Sequence, residues 1–221
     1  MRLRRLAAVF AALTAMTACG AKTPDYQSIW TDSPTLSAPA PATDPAGSDD
    51  PVPFYEYLES LGVTGQPMAV RDLTDVTVTL PVPAGWAKVD DPELRDVELL
   101  RPKDSRDHYP NTMVMAFKLW GNFDVAEAIK RANADAQLSK GFTKLGESFE
   151  EFDGFPSAMI EGSYDAPDGR RIHTYNRVVI PVTPTFDRYL IQFTASTLAN
   201  QAVAQSDAIE TSIRDFAVAV K

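Results

Sequence analysis

The chain has 221 residues, of which 44% are hydrophobic and 23% charged, with 21 basic against 30 acidic side chains and a formal charge of −9. One cysteine excludes an internal disulfide. Nucleic acid is not an expected partner: affinity for a phosphate backbone rests on clustered Lys and Arg, and beyond the first five residues no basic run is longer than a pair such as Arg170 and Arg171.

At the N-terminus Arg2, Arg4 and Arg5 precede an uncharged run over 6–15, then the small residues Thr17 and Ala18, then Cys19 and Gly20. A membrane-spanning helix needs roughly 20 apolar residues. This run is shorter and ends at a small-residue cleavage site, the pattern of a secretory signal. Cys19 directly after Ala18 resembles a lipobox, with Met16 where Leu is usual. The expectation is a lipoprotein signal peptide over 1–18, cleavage before Cys19, and acyl chains on Cys19 that hold the protein on the extracytoplasmic face of the cell membrane. Two or more chains, at about 0.8 kcal/mol per buried methylene, anchor stably where one does not. Loss of the three arginines leaves 18 basic against 30 acidic side chains, a charge of −12 that disfavours docking to anionic headgroups.

Residues 19–52 are rich in Ser, Thr, Pro, Ala and Asp, with Pro at 24, 34, 39, 41, 45 and 51. Such a segment buries too little apolar surface to offset its ordering entropy. It is read as a tether with a reach of roughly 30 Å. A single folded domain is expected over 53–221, large enough for a self-sufficient core.

That domain opens with a short amphipathic helix after Pro53, carrying Phe54, Tyr57, Leu58 and Leu61 at helical spacing and stopped by Gly62. Val76, Val78 and Leu80 alternate with threonines, the period-2 pattern of a half-buried strand. Further strands are expected over 86–89, 97–101, 112–120, 142–149 and 158–164. Asp168 and Gly169 mark a hairpin turn into strands over 171–180 and 189–195. Asp124, with Glu127 three residues on, starts a helix whose inner stripe is Val125, Ile129, Ala132 and Ala136. A last helix is read over 200–220 from Ile209, Ile213, Phe216 and Val220. The class is α+β, an antiparallel sheet flanked by helices. Met113, Met115, Phe117 and Leu119 alternate with Val114, Ala116 and Trp120, so both faces of that sheet are expected to be covered.

Reactive chemistry is sparse. His108 follows Asp107 in a polar loop, and His173 sits between Ile172 and Thr174 on a strand. Ser157 lacks the Gly-x-Ser-x-Gly elbow that exposes a nucleophile. Asp90 with Asp91 and Glu150 with Glu151 are adjacent in sequence and so face apart on a strand. No catalytic residue, metal ligand or cofactor-binding residue is expected, and a groove lined by Met and aromatic side chains suits an apolar ligand. Clustering of His173, Tyr175 and Ser157 at a cleft would favour an enzyme.

The segments CGAKTPDYQSI from Cys19, YLESLGVTGQP from Tyr57, PAGW from Pro83, FDVAEA from Phe123, GFPSAMIEGSYD from Gly154 and RYLIQFT from Arg188 resemble the mycobacterial Lpp-LpqN lipoprotein family. The resemblance covers nearly the whole chain. It implies a PsbP-like αβα sandwich in an actinobacterial cell envelope, and an accessory without enzymatic activity. It further implies binding to an envelope lipid, such as a trehalose glycolipid, or to the extracytoplasmic domain of a lipid transporter. A protein-interaction module with no small ligand is the alternative. Only Cys19 carries over with a defined role, and no ligand-contact residue is named.

Overall fold

A computed structural model describes residues 51–221. The signal segment, Cys19 and the tether as far as residue 50 lie outside the described residues. The strands are β1 (Thr64–Met68), β2 (Val76–Thr79), β3 (Trp86–Lys88), β4 (Val97–Pro102), β5 (Asn111–Trp120), β6 (Thr143–Ser148), β7 (Ser157–Asp165), β8 (Arg171–Val179), β9 (Arg188–Leu198) and β10 (Ala217–Val220). The helices are α1 (Phe54–Ser60), α2 (Val125–Ala128), α3 (Ala134–Leu138) and α4 (Ala202–Asp215).

Eight strands form one antiparallel sheet in the order β3-β4-β5-β9-β8-β7-β6, with β1 also on β5. The outer edge of β5 is shared: β4 takes Thr112 to Met115 and β1 takes Ala116 to Trp120. Its inner edge pairs with β9 from Asn111↔Ser196 to Leu119↔Arg188. The strand pattern puts Leu99, Met113, Met115, Phe117, Ala158, Val178 and Leu190 in one apolar cluster on what is here the front face. Leu100, Val114, Ala116, Tyr189, Ile191 and Phe193 belong to a second cluster on the back.

Phe54 and Leu58 of α1, with Ala128, Ile129 and Ala132, close the front cluster. Ile209 of α4, Val76, Phe216 and Val218 close the back. The sheet is therefore covered on both sides, as the alternation on β5 implies, and the class is α+β. Burying each large apolar side chain contributes about 1.5–3 kcal/mol, so the described residues carry a two-sided core of their own.

Three elements differ from the sequence reading. The last helix ends at Asp215, and β10 pairs with β2 from Ala217↔Thr79 to Val220↔Val76 in a separate two-stranded sheet. Phe216 causes the switch: its ring stacks on Phe193 at 4.6 Å and on Phe152 at 5.6 Å, and the Ala-Val alternation after it suits a strand. The helix read from Asp124 is broken into α2, a 3-10 turn and α3. Asn133 lies at the break, its Nδ2 donating to Glu147 Oε1 and to the Met159 carbonyl at 3.1 Å each. The strand β1 was not anticipated because TGQPM has neither alternation nor β-branched density, and its Pro67 is tolerable only on an edge.

Asp135 of α3 accepts the Phe54 main-chain N–H at 3.2 Å, tying the start of α1 to the front layer. Burial pushes its carboxyl up to about 6, opposed by that hydrogen bond and reinforced by Glu56. The folded state thus binds more protons than the unfolded one between pH 4 and 6, and stability falls as pH rises through that window. Asp135→Asn keeps an acceptor and removes the charge. Urea unfolding should show the variant gaining on the wild type from pH 4 to 6, by on the order of 2 kcal/mol, with a constant difference above.

Candidate functional site

The front-face helices do not cover the whole sheet. Two cavities lie open beyond them, and no residue of α1, α2 or α3 lines either one. The first is about 270 Å³, floored by Leu99, Met113, Thr194 and Ser196 and walled by Tyr109 and Tyr164. The second is about 140 Å³ and lined by Leu94, Val97, Met115 and Phe117, with Pro67 of β1 and the charged residues Glu93, Arg95 and Asp96 of the turn before β4. Met113 lines both, so they form the polar and apolar ends of one groove.

The polar end owes its character to front-facing positions of β8 and β9. Thr194 Oγ1 and Gln192 Nε2 both donate to Asn176 Oδ1, at 2.9 and 3.1 Å, and the Thr174 and Ser196 hydroxyls meet at 3.3 Å. These five side chains are buried, and a satisfied network of this kind rigidifies the floor. On β4 the period of two puts Arg101 on the same face as Val97 and Leu99. Its Nη1 donates to the Asp107 carbonyl at 3.3 Å, while its buried Nε has no hydrogen-bond partner.

A second arginine closes the rim. Arg170, in the hairpin between β7 and β8, reaches Asp107 Oδ2 through Nη1 and Asp168 Oδ2 through Nε, each at 2.6 Å. Its guanidinium also lies 5.5 Å from the Tyr109 ring centre. The Arg170 side chain holds the Asp107 carboxyl below the usual carboxylate range, and the Arg170 main-chain N–H does the same for Asp168. Both depressions stabilise the strap above the ordinary Asp value near 3.9, and that stabilisation is lost as pH falls through the lower folded values. The loop over 103–110 is thereby strapped to the hairpin.

The residues weighed for catalysis are not assembled. Ser157 Oγ accepts from Arg177 Nη1 and Tyr175 Oη accepts from Arg177 Nε, each at 2.9 Å, whereas His173 Nε2 lies 2.9 Å from Glu161 Oε1. All three are on the back face, away from the groove, and Ser157 makes no hydrogen bond to His173. His108 is exposed and lines the first cavity, and its carbonyl accepts from Asn111 Nδ2 at 2.8 Å. Glu150 and Glu151 are exposed, and Asp91 accepts the Glu93 N–H at 2.9 Å. Among the described residues no group of His, Cys, Asp and Glu is placed to hold a metal, and no helix is long and apolar enough to cross a membrane.

Sequence reading named no ligand-contact residue: it singled out the stripe of Met113, Met115 and Phe117 with the core as its default place, and it did not point to Arg101, Arg170 or Tyr109. One signal for Arg101 was available, a cation at the third front-facing position of a strand whose first two are Val97 and Leu99. Arg170 and Tyr109 come from loops that converge only in the fold.

An antiparallel sheet covered on both faces, with an open groove on the front, makes this an α+β domain of two packed layers around one central sheet. Comparison with known proteins makes this specific. The model described as "Probable lipoprotein LpqN" matches residues 50–219, and the chain belongs to this Lpp-LpqN lipoprotein family. It is 48% identical to the lipoprotein LpqT of Mycobacterium tuberculosis over 97% of this chain and 93% of that one. It is 45% identical to LpqT of Mycobacterium leprae over 99% of this chain and 97% of that one. The crystal structure of LpqN from Mycobacterium tuberculosis, a protein described as involved in cell envelope biogenesis, aligns with a TM-score of 0.65 at 19% identity. That alignment covers 76% of this chain and 98% of LpqN and shows a shared fold. The relatives are named as lipoproteins and not as enzymes.

Replacing Arg170 with Ala removes both ion pairs from the rim. Exposed pairs are worth at most about 1 kcal/mol, so amide hydrogen exchange over 103–110 should quicken by about fivefold. Exchange in β9 should not change.

Proposed function

We propose that this protein is a lipid-anchored accessory of the mycobacterial cell envelope, without enzymatic activity, that holds an amphiphilic envelope lipid in the front-face groove. The observation that carries the reading is the groove itself: an apolar end over Met115 and Phe117 joined through Met113 to a polar end over Thr194 and Ser196. Pockets that bind small molecules are mostly apolar with a few convergent polar groups, and methionine linings adapt to flexible chains. Membership of a lipoprotein family supports the anchor. In this reading residues 1–18 are removed, Cys19 carries the acyl chains, and 19–52 tether the single domain of 53–221 on the extracytoplasmic face.

The domain over 51–221, incubated with envelope lipid extract and re-purified, should retain a discrete lipid in native mass spectrometry. Met113→Trp fills the junction of the two cavities and should cut retention about tenfold, on the order of 1.4 kcal/mol, with an unchanged circular dichroism spectrum. In the full chain, Cys19→Ala should move the protein from the membrane fraction to the soluble one.

A second reading, docking to a protein such as the extracytoplasmic domain of a lipid transporter, is favoured by Phe186. This residue is 77% exposed at φ 65°, on a turn fixed by Phe186 N–H donating to the Thr183 carbonyl and Asp187 N–H donating to Thr183 Oγ1. Trp120 is exposed at the same end of the sheet. Absence of any retained lipid, together with crosslinks from position 186 to one partner, would replace the first reading with this one.

A further inference from the structure

Arg101 is the cation of the first cavity that has no carboxylate partner. Arg170 is neutralised by Asp107 and Asp168, whereas among the described residues no Asp or Glu lies within ion-pair distance of Arg101. One of its five donors has a partner, a main-chain carbonyl at 3.3 Å. Another, Nε, is buried and has none. A buried donor left unmade is costly, and for a charged group more so. Nothing in the packing of β4 requires a cation there: Leu99 one step along the same face is fully accommodated in the front core.

The surroundings fit a ligand that supplies what Arg101 lacks. A guanidinium presents a fork that matches a carboxylate or phosphate. Thr194 and Ser196 supply hydroxyls on the floor of the same cavity. Asp107 and Asp168 line or flank the site, but both are turned to Arg170, which limits their repulsion of an anion. The apolar second cavity begins at Met113, opposite Leu99 in the β4–β5 register, one front-face step from Arg101.

We infer that the polar end of the groove is an oxyanion site, with Arg101 binding the phosphate or carboxylate of an amphiphile whose alkyl chain runs past Met113 toward Met115 and Phe117. This assignment rests on the groove reading above and adds the charge of the head group to it. An overall acidic protein thereby selects an acidic ligand, because one local cation decides the matter at contact distance while the remaining charge is screened over a Debye length of roughly 8 Å.

The test is titration calorimetry on the 51–221 domain with three probes below their micelle concentrations: n-dodecyl phosphate, n-dodecyl maltoside and inorganic phosphate. Dodecyl phosphate should bind at least about tenfold more tightly than dodecyl maltoside, and Arg101→Gln should abolish that difference, consistent with a charge-assisted pair. Arg101→Lys should recover only part of it, because a point charge replaces the fork. Retained affinity of the Gln variant for dodecyl maltoside shows that its groove is intact. Equal binding of both amphiphiles, unmoved by either substitution, would overturn the oxyanion site and leave the lipid reading standing. Inorganic phosphate binding as tightly as dodecyl phosphate, with the same dependence on Arg101, would support the oxyanion site and make its source a free anion, against the lipid reading. No binding of any probe overturns both.

Discussion

Both layers of this domain hang from the pairing of β5 with β9. The two strands run together for nine residue pairs, from Asn111↔Ser196 to Leu119↔Arg188, and most residues in them are buried. Their backbones satisfy each other in a place water does not reach, and an unmet backbone group there would cost what a lost hydrogen bond costs. Their side chains are the floor for everything else. Front-facing residues receive α1 and the α2–α3 segment, and back-facing residues receive α4, β2 and β10. A shift of register by one residue would exchange the two floors and mismatch both layers at once.

The same pair of strands also sets where the groove can be. Along the front of β5 and β9 the side chains pass from Phe117 and Leu190 through Met115 and Gln192 to Met113, Thr194 and Ser196. The helices close over part of the apolar stretch and leave the second cavity open beside Met115 and Phe117. They do not extend over the hydroxyls and amides, where an apolar helix face laid on Gln192, Thr194 and Ser196 would gain little. The sheet thus carries its own gradient from core to site, with the Arg170 strap closing the rim.

What could be read from the sequence follows from which physical signals are local. Alternation on β5, β8 and β9 is local, and it foretold antiparallel strands covered on two sides. The cap at Asp124 is local too, and its Oδ1 accepts from the N–H groups of Ala126 and Glu127 as a capping residue should. The end of the last helix was not local, since the position of Phe216 is decided by Phe193 and Phe152 from two other parts of the chain. A 3.6-residue stripe over Ile209, Ile213 and Phe216 continued on paper to Val220, whereas Ala217 to Val220 found better partners in β2. The groove was foreseen as a kind of lining, Met and aromatic, but its charged end depends on loops over 103–110 and 166–170 that meet only in three dimensions.

The described chain enters the domain on one side of the sheet and leaves it on the other. Phe54 starts α1 on the front, held to Asp135, while Lys221 ends on the back, its N–H on the Asp75 carbonyl and its Nζ on that of Leu73, each at 3.0 Å. The groove opens on the front. The described chain therefore enters the domain on the face that carries the groove. A reporter or affinity tag fused after Lys221 is screened from that traffic by the full thickness of the sheet, and immobilising the protein through that end leaves the groove mouth pointing away from the support.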